Sequence, residues 1–169
     1  MKIKLIRLNY DMEVKVNKFI SESPDLPEIF KLVGNDFRKT VKAYDDYSNG
    51  INLPEGFVAY TIFYALDMDT NDIVGQISVR HELNDYLKFR GGHIGYYVCP
   101  NQRRKRAGTE MLSEILGFCK ELKSNKVLIT CDETNIGSNK IIINNHGVLD
   151  TTDIDPNGVK FNRYWINLN

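Results

Sequence analysis

Between residues 93 and 131 the chain runs through an extended stretch, a basic loop, an apolar-striped helix and a second extended stretch. No other feature constrains the fold as strongly. HIGYYVC (His93 to Cys99) and KVLITC (Lys126 to Cys131) have β-branched and aromatic strand composition. Between them, Met111, Leu112, Ile115, Leu116, Cys119 and Leu122 fall on one stripe of a helix expected over Ala107 to Leu122. A strand-helix-strand unit follows, and everything upstream must pack around it.

Upstream, Ile3 and Leu5 suggest a first strand, and Met12 to Ser21 and Asp36 to Tyr47 read as helices. SNGINLPEGF is a turn-rich connection, with Asn49-Gly50 and Pro54 as breakers. Phe57 to Leu66 and Ile73 to Arg80 then form a hairpin around a polar turn, and HELNDYLKFRGG leads to the His93 strand. Gly95 interrupts that strand and predicts a bulge or a close backbone approach. Downstream, a short helix over Asn135 to Asn144 precedes strands at Val148 to Thr151 and Phe161 to Leu168. The expected class is α/β (α+β), one domain with both antiparallel and parallel pairing.

Composition narrows the function. Lys+Arg 22 against Asp+Glu 22 leaves no net charge, which argues against a dedicated nucleic-acid binder. No stretch approaches the ~18 apolar residues of a membrane span, and the N-terminus lacks the apolar core of a secretory signal. Cys99, Cys119 and Cys131 show no metal-ligand spacing and are expected as reduced, buried thiols in a cytoplasmic protein.

Arg103, Arg104, Lys105 and Arg106 therefore need a local reason. They sit where a strand ends and a helix begins, a place that leaves about four backbone N–H groups without partners and carries partial positive charge. Ala107 and Gly108 are small enough to let such N–H groups wrap a phosphate, and Thr109 adds a hydroxyl. A solvated charged face is the competing reading, and a nucleic-acid patch is a third.

The neighbours of this loop carry a resemblance. HIGYYVCPNQRRKRAGTEML is similar to the acetyl-CoA-binding core of the GNAT family of N-acetyltransferases. There a strand of the form I-G-Y-x-V precedes a loop Gln/Arg-x-x-Gly-x-Gly/Ala that opens a helix. Arg103 takes the first loop position and Gly108 the last. CDETNIGSNK resembles the next family segment, with Asn135 and Ser138 on its N-x-x-S/A pattern. With the closing RYWINL, the resemblance spans about residues 57 to 169, and it is closest to bacterial acetyltransferases carrying RHELN, HIGY and RYWI signatures.

The resemblance implies a mostly antiparallel, splayed central sheet flanked by helices, and acetyl-CoA as co-substrate with no metal. It places the pantetheine arm against the backbone of Tyr96, Tyr97 and Val98, and the diphosphate over Arg103, Arg104, Lys105, Arg106, Ala107, Gly108 and Thr109. Asn135 and Ser138 fall near the pantetheine or adenosine end. The partners implied are acetyl-CoA and an amine-bearing acceptor, without nucleic acid or membrane, and a homodimer is compatible with the family.

Residues 1–56 would form the acceptor side, with Tyr44, Tyr47, Phe57 and Tyr60 as candidate lining. Candidate bases for the amine are His81 and Glu82 in RHELN and His93 at the head of the coenzyme strand. The family's tyrosine acid is replaced by Ile142, which leaves Tyr164 as a candidate. Arg106 stands where the loop has its first glycine, and His146 where a second glycine often precedes Gly147. The loop is otherwise intact, so an ordinary φ is expected at Arg106. A non-catalytic acyl-CoA-binding module is the alternative that Ile142 and Arg106 motivate.

Overall fold

The computed structural model describes residues 1–169. A first sheet carries β1 (Ile3–Arg7), β2 (Tyr60–Asp67), β3 (Ile73–Arg80) and β4 (Ile94–Val98) in that spatial order. A second sheet has β5 (Lys126–Asp132), β7 (Lys160–Asn167) and β6 (Val148–Ile154), with β7 in the middle. Every ladder is antiparallel. The parallel pairing expected from the strand-helix-strand unit does not form, because β4 and β5 diverge instead of pairing.

Helices cover both faces of the first sheet. α1 (Glu13–Ser21) and α2 (Phe37–Ser48) pack on one side, and α4 (Ala107–Glu121) on the other. α5 (Ile136–Asn144) follows β5. The apolar run of β2 is thereby explained: Ile62 and Tyr64 enter the core under α1 and α2, while Phe63 and Ala65 enter the core under α4. The stripe of α4 is buried as its spacing predicts, with Met111, Leu112, Ile115 and Cys119 almost fully enclosed. Each such side chain contributes about 1.5–3 kcal/mol. No helix is long and apolar enough to cross a membrane, and all three cysteines are free and buried.

Element limits follow the sequence closely, with two informative differences. Phe57 to Ala59 are not part of β2, which begins at Tyr60 where pairing with Arg80 begins. A short helix, α3 (Asp85–Phe89), interrupts the connection to β4; Asn84 caps it by accepting from the Leu87 N–H at 2.9 Å. Gly95 forms no bulge, since the β3–β4 register runs through it unbroken. Nor is it a close backbone approach: an added Cβ would meet only side chains at ordinary contact distance, Ser78 Oγ at 3.4 Å and the two terminal nitrogens of Arg80 at 3.7 and 3.9 Å.

The two sheets meet at one point. Gly92 bridges to Ile129, the His93 N–H donates to the Leu128 carbonyl at 2.7 Å, and the Gly91 N–H donates to Thr130 Oγ1 at 2.9 Å. At Gly92 φ is +64°, and a Cβ there would lie 2.3 Å from the Leu128 carbonyl oxygen. Strain and overlap act together at this position, so Gly92→Ala is expected to cost about 2–4 kcal/mol in urea unfolding. A loss within about 0.5 kcal/mol, the range of a neutral surface change, would contradict the close approach.

Candidate active site

Beyond that vertex β4 and β5 separate, and a cavity of about 350 Å³ opens between them. Ile94, Gly95 and Tyr96 line one wall; Ile129 to Asp132 line the other, with Asn135 and Ser138 beyond. Which backbone groups face it follows from pairing parity. Arg80 N–H donates to His93 O and Cys99 N–H to Val74 O, in the register that also pairs Gly95 with Ser78 and Tyr97 with Gln76. The odd-numbered residues of β4 are therefore turned to β3. Ile94, Tyr96 and Val98 present their backbone to the gap, although Arg103 Nε already donates to the Val98 carbonyl at 3.0 Å. Tyr97 departs from expectation, because its backbone faces β3 and its ring lies in the core under α1.

At the open end of the gap stands the basic loop. Backbone N–H groups from Arg104 to Thr109 find no acceptor in the protein, and no side chain caps α4. Arg104 (φ +64°) and Arg106 (φ +70°) are both left-handed, a conformation that turns successive N–H groups toward one concavity. The ordinary φ expected of Arg106 is thus incorrect. The chain must reverse its twist to enter α4, and arginine occupies a position that suits glycine, at a cost of about 1–2 kcal/mol. At Gly108 a Cβ would lie 2.5 Å from Ile141 Cδ1, the movable end of that side chain, so α4 and α5 come close together here.

The four basic side chains are not equivalent. Arg104, Lys105 and Arg106 are exposed, and Arg106 makes only a 3.9 Å contact with Glu110. Arg103 is turned back, donating to Asp25 at 2.7 Å and lying over the Tyr97 ring. The Tyr97 hydroxyl and Arg103 together hold the Asp25 carboxyl below the usual range. Asn135 caps α5 by accepting from the Ser138 N–H at 3.0 Å, and Ser138 Oγ lies 2.6 Å from the Tyr96 hydroxyl across the gap.

The candidate catalytic side chains are dispersed. His93 sits at the vertex, where its Nδ1 accepts from the Leu128 N–H at 2.9 Å. Burial, then the Arg80 cation, push its pKa down to about 4. With that lone pair engaged, the other ring nitrogen carries the proton of the neutral form. His81 contacts Thr61 Oγ1 at 2.8 Å, and its pKa is lowered by burial and then by Arg7. Glu82 is exposed, and neither it nor His81 lines the gap. The Tyr164 hydroxyl donates to Asn139 Oδ1 at 2.6 Å from within the core. Ile142, in place of the family tyrosine, is fully buried.

A second cavity of about 220 Å³ adjoins the vertex. Phe57, Val58, Tyr60 and Leu87 line it together with Ile29 from the N-terminal region. Arg80 and Tyr86 line both cavities. Of the aromatic candidates, Phe57 and Tyr60 reach this cavity. Tyr47 stacks behind Tyr60 at 5.3 Å, and Tyr44 is core. Sequence reasoning did not single out Arg80 or Tyr86 as site residues. The only signal for Arg80 was its place beside His81 in RHELN.

A splayed strand pair, a free strand edge and a bare helix N-terminus follow one another along β4 and the loop after it. The acetyltransferase (GNAT) domain model matches residues 17–147. The chain belongs to the GNAT acetyltransferase family. It is an acetyl-CoA-dependent acetyltransferase, and the unpaired N–H groups and the open β4 edge suit that co-substrate.

Solved structures show the same fold. A protein described as a ribosomal-protein-serine acetyltransferase from Vibrio cholerae superposes with TM-score 0.68 at 15% identity, covering 99% of this chain and 94% of its own. An acetyltransferase described as yncA from Salmonella typhimurium, solved with acetyl-CoA, gives 0.67 at 10% identity, covering 100% and 95%. A chimera of spermidine N-acetyltransferase SpeG from Vibrio cholerae and hSSAT gives 0.65 at 12% identity, covering 99% and 97%. No curated protein matches the sequence.

Replacing Arg106 separates its two effects. Arg106→Gly is expected to raise unfolding stability by about 0.5–1 kcal/mol through relief of the left-handed strain. The same change is expected to weaken acetyl-CoA binding about two- to fivefold at low salt, the scale of one exposed charge. Unfolding in urea and calorimetric titration measure the two. Lower stability with tighter binding would contradict the assigned backbone role.

Proposed function

We propose that this acetyltransferase transfers the acetyl group to a primary amine by direct attack on the thioester, with residues 1–56 forming part of the acceptor side. The observation that carries this reading is the meeting of the two cavities at Arg80 and Tyr86, beside the vertex of the splay. The coenzyme supplies the activated acetyl thioester. The Ile94 and Tyr96 N–H groups are the donors available to its carbonyl oxygen, where negative charge develops. Arg104, Lys105 and Arg106, with the N–H groups up to Thr109, neutralise the diphosphate. Asn135 and Ser138 border the pantetheine path.

The C–N bond forms as the C–S bond breaks, the thiolate departs with the electron pair, and the amine proton passes to water. A thiol of pKa near ~8.5 leaves tolerably without an acid, so Ile142 is no obstacle. His93 is assigned as a positioning residue that staples β4 to β5, because its lone pair is engaged there. His81, Glu82 and Tyr164 are assigned no direct contact with the reacting atoms, since none lines either cavity. The amine must therefore arrive neutral, which the apolar lining favours.

His93, with its pKa near 4, is neutral throughout the working range. Log kcat/KM should rise with pH at unit slope until the amine's own pKa, with no inflection between pH 6 and 7. Coenzyme A release over a panel of primary amines and matched alcohols, measured from pH 5.5 to 9.5, provides the check. A plateau beginning near pH 6.5 for every amine would assign a histidine base and overturn this mechanism. Transfer to the alcohols alone would overturn the amine reading.

A further inference from the structure

Three arginines are half-buried in this protein. Arg90 holds Asp132 at 2.5 Å and Asp155 at 3.6 Å, and Arg163 holds Asp150 at 2.9 Å. Arg80 has no carboxylate. One of its terminal nitrogens makes 3.3 Å hydrogen bonds to the Gly91 and Gly92 carbonyls, and its other two nitrogens have no protein partner. Burial is the main perturbation of its charge, followed only by the tyrosines Tyr86 and Tyr60. A guanidinium withdrawn from water without a counterion is costly, and the cost is recovered when an anion reaches it.

The second cavity says what kind of anion. It contains no Asp or Glu, and Arg80 is its only charged residue. Asn84 is already spent, its amide donating to the Gly56 carbonyl and its oxygen accepting from the Leu87 N–H. The rest of the lining is mainly apolar or aromatic. Its volume, about 220 Å³, is below the roughly 300–1,000 Å³ common for drug-sized ligands, which fits one compact apolar group. A polyamine would meet a cation where it needs carboxylates.

Position decides where the amine sits. The Arg80 terminal nitrogens lie 3.7 and 3.9 Å from the place a Gly95 Cβ would occupy, directly over β4. A carboxylate held there puts an amino group on the adjoining carbon beside the same strand. We propose that Arg80 receives the carboxylate of the acceptor, and that the acceptor is an α-amino carboxylate with an apolar side chain of about leucine or phenylalanine size. This rests on the reading of an amine acceptor beside β4.

Binding and turnover test the two separately. Calorimetry on protein saturated with coenzyme A would compare L-phenylalanine with phenethylamine, L-leucine with isoamylamine, and both with spermidine. The amino acids should bind about tenfold or more tightly than their decarboxylated counterparts. Arg80→Met should bring that ratio close to one, and Arg80→Lys should retain part of it, with circular dichroism confirming the fold of each. Should Arg80→Met fail to fold, Arg80→Lys and the wild-type ratios decide. Equal or tighter binding of the decarboxylated amines or spermidine would overturn the assignment, as would a preference unchanged in Arg80→Met. Amino acids that bind as expected but are not acetylated from acetyl-CoA would uphold the Arg80 assignment and instead defeat the amine-acceptor reading.

Discussion

Two strands that would otherwise complete one continuous sheet are fastened at one end and held apart at the other. The fastening is dense: a glycine without room for a Cβ, a backbone hydrogen bond from His93 to Leu128, and the His93 ring returning to the same residue. The separation follows from what lies beyond it. α4 leaves the end of β4 and α5 leaves the end of β5, and the two helices close on each other at Gly108 and Ile141. Past the vertex the facing edges of β4 and β5 are not paired with each other, so backbone groups that a sheet would consume are left without a strand partner. The acetyltransferase groove is a gap in a sheet, kept open by helix packing.

The same economy operates at the basic loop. Left-handed backbone at Arg104, Arg106 and His146 is carried by residues with side chains. At Arg106 and His146 glycine is what the family resemblance leads one to expect. Arginine accepts the strain at Arg106 and adds a cation beside a concavity of free N–H groups. His146 is exposed and gains no such partner. Arg103 illustrates the opposite outcome: its charge is given to Asp25, tying the loop to the region after α1. Four adjacent basic residues thus divide into one structural anchor and three that face solvent at the mouth of the groove.

Much of this was legible from the sequence because it lay in local patterns. The α4 stripe, the β2–β3 hairpin and the loop between β4 and α4 each rest on periodicity or turn chemistry over a few residues. What escaped depended on long-range placement. The splay of β4 from β5 was legible only through the family resemblance, not through local pattern, and Tyr97's orientation is fixed by the β3 register. The left-handed φ of Arg106 depends on the angle at which the chain enters α4. Histidines 81 and 93 drew attention as titratable residues in suggestive company, yet Thr61 and Leu128 engage them. Arg80 drew none, because only the folded chain reveals that no carboxylate reaches it.

The unpaired edge of β4 is the proposed binding surface for the coenzyme. A crystal structure with acetyl-CoA tests it most directly. The expected complex has pantetheine amides paired with the backbone of Tyr96, the Tyr96–Ser138 contact parted or shifted to admit the arm, and the diphosphate on the N–H groups between Arg104 and Thr109. A coenzyme bound elsewhere, with β4 unengaged and the Tyr96–Ser138 contact intact, would contradict it.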